Sequence, residues 1–377
     1  MSKFNYLNSN TYKILLILLI IGFSGQSIAA AKTVILRNKV KLFDGWSELM
    51  YAAWKGNLKT VQHLLKEKAD FTIKDEDGRT ALSYAAWNGD PEVIKTLVTA
   101  GANINQADDH GQSILILAAR NGQAEAVKEL IKLGAAANEV DKYGRTALIW
   151  AVRLGFYDTV DALLASNVNV NIQDHANLSA LITAAKFNYN RIALKLIAAG
   201  ASPMSSDSHG RSALWYAAEL GMDDLLKTLL RQGANPNIKD KKHQTPLMRA
   251  AFNGHKNVVN LLIRRGASVH ERSRTGNTAL MYAASGGHPD EVKTLLANGA
   301  QVNAVNQFDN SSLLIASELG YANVVNILLS YGAKTIQVNK LGNTALSLAR
   351  NQGHEKIRAM LSHYDKGESS LLKQLMK

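Results

Sequence analysis

One pattern returns every 33 residues along this chain, ten times over, with no insertion or deletion between copies. The units start at Gly45, Gly78, Gly111, Gly144, Asn177, Gly210, His243, Gly276, Asp309 and Gly342. Two residues after each start stands Ser or Thr, from Ser47 to Thr344, and four after it Leu, from Leu49 to Leu346. Seven after it comes Ala, from Ala52 to Ala349, and nineteen after it Leu, from Leu64 to Leu361. A fixed period of this length builds a solenoid of stacked supersecondary units, because one unit cannot bury its apolar face alone and its neighbours must cover it. Catalytic pockets are rarely built this way.

Each recurring residue has a physical task. The Ser/Thr is a helix N-cap, its hydroxyl accepting from an orphan backbone N–H of the first turn. Leu and Ala then lie three apart on one face, which predicts a short first helix from about Thr80 to Asn88 in the second unit. Ala is small and lets neighbouring helices approach closely; a larger side chain there would splay the stack. Eleven after each start comes Gly in nine units and Asn188 in the other, residue types that tolerate left-handed backbone at a helix end. A second helix follows, Pro91 to Ala100 in the second unit, marked by Pro in its first turn. It closes on Gly-Ala, as at Gly101-Ala102 and Gly266-Ala267, and an Asp-x-x-Gly turn such as Asp108 to Gly111 leads into the next unit. The fold class is therefore an all-α solenoid of ten helix-turn-helix units.

Thr245-Pro246-Leu247, Ala250-Ala251, Asn253-Gly254-His255, Leu261-Leu262 and Gly266-Ala267 together resemble the ankyrin repeat. The resemblance covers residues 45 to 364, and ten in-phase copies make it specific. The His that the family often carries after the first-helix Leu is replaced here by Met50, Ser83, Ile116, Ile149, Ile182, Trp215, Met248, Met281, Leu314 and Ser347. That departure weakens a hydrogen-bond network between units and leaves the fold intact. The last unit degenerates after Leu361, as expected of a solvent-facing cap, and residues 365–377 form a C-terminal tail.

The first 31 residues are of another kind. Lys3 and Lys13 precede an apolar run from Ile14 to Phe23, then the small residues Ser27, Ala29, Ala30 and Ala31. That run is well short of the roughly 20 residues needed to span a bilayer, so 1–31 reads as a cleavable export signal and 32–44 as a lead-in to the repeats. An uncleaved N-terminal anchor is the alternative. No twin Arg is present, which favours general secretory export. Cysteine is absent, which excludes a lipid-attachment Cys, a disulfide framework, thiol catalysis and a Cys-ligated metal. A chain bound for an oxidising compartment gains by losing its thiols.

The formal charge of +12 becomes +10 once Lys3 and Lys13 leave with the signal. It is unevenly spread: between Lys227 and Arg274 eleven Lys/Arg face only Asp240 and Glu271. Such a band steers an acidic partner from a distance, or simply keeps the surface solvated. Lys241, Lys242 and Arg274 at turn tips, with Arg249 on a first helix, are placed to meet a ligand; Arg231, Arg264 and Arg265 at the second helices face away. No nucleic-acid motif and no helix dense in Lys/Arg appears, and export argues against that partner; an anionic envelope surface or an acidic protein fits better.

The resemblance implies binding along a concave face of turn tips and first helices, and assigns to it the residues one, nine and ten after each start. There stand Trp46, Trp54, Trp87, Arg120, Arg145, Arg153, Phe187, Arg211, Phe252 and Leu319. Trp54 and Trp87 occupy equivalent places in adjacent units, about 10 Å apart by helix packing, and form a candidate aromatic hot spot. Partial burial against neighbouring helices is the alternative for both. Tyr51, Tyr84, Tyr216 and Tyr282, six after their starts, are assigned to the core. His255, His288 and His354 recur twelve after a start, where the family carries a structural His; His110 and His209 sit at tips three units apart, too far to share a metal. Neither a catalytic constellation nor a metal or cofactor site emerges. The candidate protein-binding residues are Trp54, Trp87, Phe187, Lys241, Lys242, Arg249, Phe252 and Arg274. The expected molecule is a monomeric binding protein without small-molecule substrate, periplasmic or secreted from a bacterial-type cell. Its partner is a protein with an acidic surface; a host-directed secreted factor and an anchored envelope component are the alternatives.

Overall fold

A computed structural model describes residues 45–364. The export signal, the lead-in and the tail fall outside the described residues. Within them every unit is two antiparallel helices and a turn, and no strand occurs. In the second unit the helices are Ala81–Asn88 and Pro91–Thr99, within a residue of the expected bounds. The tenth unit pairs Ala345–Asn351 with a helical stretch at 355–364.

The cap chemistry follows the sequence. In nine units the Ser/Thr hydroxyl accepts from the backbone N–H three residues on, as Ser179 does from Ile182 at 3.2 Å. In the second unit the bond runs the other way, the Thr80 N–H donating to the Ser83 hydroxyl at 3.1 Å. The column of Ala seven after each start is buried from Ala52 to Ala349. First helices pack side by side along one layer and second helices along the other, and the Leu columns fill the seam between them. Leu64 and Leu346, in the first and last units, are only partly buried.

Left-handed backbone occurs at every position eleven after a start, including Asn188 at φ 60°. Why nine of the ten are Gly is a packing matter as well as a torsional one. A Cβ on Gly254 would lie 2.6 Å from the His288 ring of the following unit. That His donates Nε2–H to the Phe252 carbonyl at 2.9 Å, and His255 and His354 do the same to Glu219 and Glu318. The three recurring His residues are thus inter-unit ties, the structural role that the resemblance implies. Asn188 precedes the unit that carries the flexible Met222 in this place.

Two further ladders stitch units together. At the turn tips, eight backbone bonds join neighbours, among them Lys241 N–H to the His209 carbonyl at 2.8 Å and Lys340 N–H to the Phe308 carbonyl at 3.1 Å. Deeper in the connecting arms, Asn105, Asn138, Asn171, Asn237 and Asn303 each accept a backbone N–H from the next arm through Oδ1. Those five Asn residues recur at the unit period, but the sequence analysis did not single them out.

Candidate protein-binding face

The open face of the first helices and the turn tips is organised around turn carboxylates, half-buried at Asp75 and buried at the five that follow. Asp75, Asp108, Asp141, Asp174, Asp207 and Asp240 each accept two backbone N–H bonds through Oδ1, closing the turn that leads into the next first helix. The second oxygen needs a partner, because a half-satisfied buried carboxylate is costly. Even-numbered units supply it at Asp75, Asp141, Asp174 and Asp207. Tyr84, Trp150 and Tyr216 donate to Asp75, Asp141 and Asp207 of their own turns. Arg145 reaches to Asp174 of the following turn at 3.5 Å, whereas Arg79 pairs with Asp77 at 2.9 Å and stands 3.8 Å from Asp108, whose second oxygen accepts no hydrogen bond. Arg211 instead folds back on Asp207 at 3.0 Å. Arg and aromatic therefore recur together every 66 residues, twice the unit period, at Arg79/Tyr84, Arg145/Trp150 and Arg211/Tyr216.

In the last three units the carboxylate gives way to Ser273, Asn306 and Asn339. Here Asn306 donates to Asn277 at 2.7 Å and Asn339 to Asn310 at 3.0 Å, across the same 29-residue separation as the Arg–Asp pairs. The clamp is charged in the first two thirds of the stack and neutral in the last.

Burial alone would raise the Asp207 carboxyl, but the Arg211 N–H, the Tyr216 phenol, the His209 N–H and the Arg211 charge outweigh it and hold the group below the usual carboxylate range. Desolvation first, and the bond to its carboxylate second, push the Tyr84 and Tyr216 phenols well up, so both stay donors at any physiological pH. A folded-state value below the unfolded one contributes stability that is complete above about pH 4 and fades as pH falls through the folded value. Asp207→Asn is therefore expected to lower the denaturation midpoint at neutral pH, with the gap to the parent closing in acid. A denaturant series across pH checks this, and a gap that widens in acid refutes it.

Cations and rings alternate along the same face. Arg79 lies 5.3 Å over Trp87, Arg120 and Arg145 flank Trp150 at 4.8 and 4.9 Å, Arg153 lies 5.6 Å over Phe187, and Arg249 lies 5.4 Å from both Trp215 and Phe252. Trp54 and Trp87 are both half-buried. Trp54 packs edge-on against Trp46 of its own unit at 5.9 Å, with the Lys55 ammonium 4.3 Å over it, and Trp87 lies beneath Arg79. Phe187 is 39 % exposed. Arg249 is ion-paired with Glu219 at 2.6 Å, and Phe252 meets Tyr282 edge-on at 6.3 Å. Lys241, Lys242 and Arg274 stand exposed at adjacent tips. One core assignment fails: Tyr84 and Tyr216 are buried and Tyr282 half-buried, but Tyr51 is 40 % exposed. In the first unit no described carboxylate meets the Tyr51 hydroxyl, and the ring instead lies beside Trp54 at 6.0 Å.

The basic band is also thinner than its sequence. Lys239 pairs with Glu271, Arg249 with Glu219 and Lys256 with Asp290, the last two carboxylates coming from outside the band. Arg231 and Arg264 end second helices, as expected. Trp150, the ring held by two guanidiniums, escaped the sequence reading; its signal was the 66-residue recurrence. Among the described residues no group of His, Asp and Glu could hold a metal ion.

A stack of paired helices joined by carboxylate-closed turns, with its variable side chains gathered on one face, defines a repeat scaffold. Matches to the family described as Ankyrin repeats (3 copies) fall at residues 8–108, 100–174, 166–240, 218–306, 247–340 and 280–370, and the chain belongs to that family. No curated protein matches it.

Proposed function

We propose that this chain is an exported scaffold that binds an acidic protein segment along the face of its first helices and turn tips, as an accessory or protective factor in a bacterial-type cell envelope. Ankyrin repeats mediate protein–protein binding, which makes a protein the natural partner. The observation that carries the acidic character is the exposed Lys241, Lys242 and Arg274 at adjacent tips, on the face that also bears Trp87, Trp150, Phe187 and Phe252 beside guanidiniums. Aromatic and Arg anchors are the residue types that dominate interface energetics. Export rests on the Lys-flanked apolar run from Ile14 to Phe23 and on the absence of cysteine.

A pull-down from envelope extract with the mature chain tests partner chemistry; capture of a basic protein alone would refute the acidic reading. Fractionation separates soluble periplasm from the two alternatives, culture medium for a host-directed factor and membrane for an anchored component. With a partner in hand, Trp54→Ala with Trp87→Ala is expected to raise the dissociation rate, because packing is lost only after docking. Charge reversal at Lys241, Lys242 and Arg274 is expected instead to slow association and flatten its salt dependence, since exposed charges are screened within about 10 Å at 0.1 M salt. Unchanged rates in both variants place the ligand on another face.

A further inference from the structure

The turn tips of units seven to ten carry a run of exposed cations and apolar side chains that elsewhere in the row has a single counterpart, Tyr143 beside Lys142. Backbone bonds from Arg274 to Lys242, from Gln307 to Thr275 and from Lys340 to Phe308 hold these tips in line. Tips spaced by one helix-packing distance span roughly 30 Å over four units. Along them stand Lys241, Lys242, Arg274, Phe308, Lys340 and Leu341, all exposed. Phe308 is 55 % and Leu341 84 % exposed, at equivalent places in adjacent units where Asp77 stands near the other end of the row. None of the four cations is ion-paired among the described residues. Asp309 is the only carboxylate at these tips, and Asp240 beneath them is buried and occupied by the N–H groups of Lys242 and Gln244.

Large apolar side chains at the crest of a tight turn gain nothing from the fold, and a cation row beside them repels any basic surface. We propose that this edge docks on an anionic phospholipid bilayer, with Lys241, Lys242, Arg274 and Lys340 at the headgroups and Phe308 and Leu341 entering the interface. Cations concentrate at an anionic surface, and apolar tips add a short-range hold that charge alone lacks. No helix among the described residues is long and apolar enough to cross a membrane, so this contact is peripheral.

The absence of cysteine permits a local test with the full chain. Leu341→Cys carries an environment-sensitive fluorophore at the edge, and Asp77→Cys carries the same fluorophore near the far end of the row. With vesicles of phosphatidylcholine and phosphatidylglycerol the Leu341 label is expected to blue-shift and escape aqueous quenchers, while the Asp77 label does not respond. Phosphatidylcholine alone is expected to leave both unchanged. Adding Lys241→Glu and Lys242→Glu is expected to weaken the response at least about tenfold in lipid concentration, given the pull of an anionic leaflet on each charge. The proposal fails if the Leu341 label is silent, if both labels respond alike, or if neutral vesicles do as well. It fails equally if polyglutamate without lipid gives the same response, which would assign the edge to an acidic protein. The apolar run from Ile14 to Phe23 can bind vesicles of either kind but does not mimic a response confined to one tip and one lipid charge.

Discussion

Ala184→Trp is expected to cost about 3 kcal/mol or more of unfolding free energy, and Ala349→Trp distinctly less. Both alanines are fully buried, so burial alone predicts equal losses. Their places in the stack differ. Ala184 lies mid-stack on the helix Ala180–Lys186, in line with Ala151 and Ala217 of the flanking units, both also fully buried. An indole there must push apart first helices on two sides, and closely packed interiors give little. Ala349 has a flanking first helix on one side only among the described residues, so the tenth unit can shift outward as a body. A one-dimensional stack makes stability a sum of unit and interface terms, and the central variant disturbs two interfaces where the terminal one disturbs one. Denaturant titration of both variants decides it; equal losses count against a one-dimensional stack.

Gly254→Ala is expected to be the next most damaging, at about 2–4 kcal/mol, against about 1–2 kcal/mol for Gly353→Ala. Both glycines sit at φ 75°, so the backbone penalty for adding a Cβ is common to the pair. The difference is what the Cβ meets: the His288 ring at 2.6 Å for Gly254, and nothing within 4 Å for Gly353. Displacing His288 breaks its bond to the Phe252 carbonyl and loosens the tie between units seven and eight. Combining Gly254→Ala with His288→Met, the pairing style of Asn188 with Met222, is expected to cost less than the two changes summed. Additive losses would show that the ring is not what the methyl group strikes.

The periodic positions were readable because each answers to a local rule. A hydroxyl cap, a left-handed helix end and a small residue at a close crossing need only the chain's own spacing, and the structure places all three where the period put them. The surface was less legible. Trp54 and Trp87 fall in the last turn of their first helices, but what each meets, the Trp46 ring edge-on for one and the Arg79 guanidinium for the other, depends on rotamers that spacing does not specify. Tyr51 shares a column with Tyr84, but Leu42 stands in the sequence where Tyr84 has Asp75, the carboxylate its phenol meets. The band from Lys227 to Arg274 loses part of its charge to Glu219 and Asp290, which lie 30 and 34 residues from the cations they meet.

Sequence alone determined the solenoid, its ten-unit length and its family, since each follows from a period repeated without error and from short-range steric and hydrogen-bonding preferences. Only the tertiary structure decided which charges remain available and what each turn leans on. Stacking brings residues 29 to 36 apart into contact, and whether an Arg there serves a neighbouring carboxylate or faces solvent is settled by that contact. The 66-residue alternation of Arg and aromatic marks the limit between the two: it is written in the sequence, but its meaning as a shared clamp on successive turns appears only once the units are stacked.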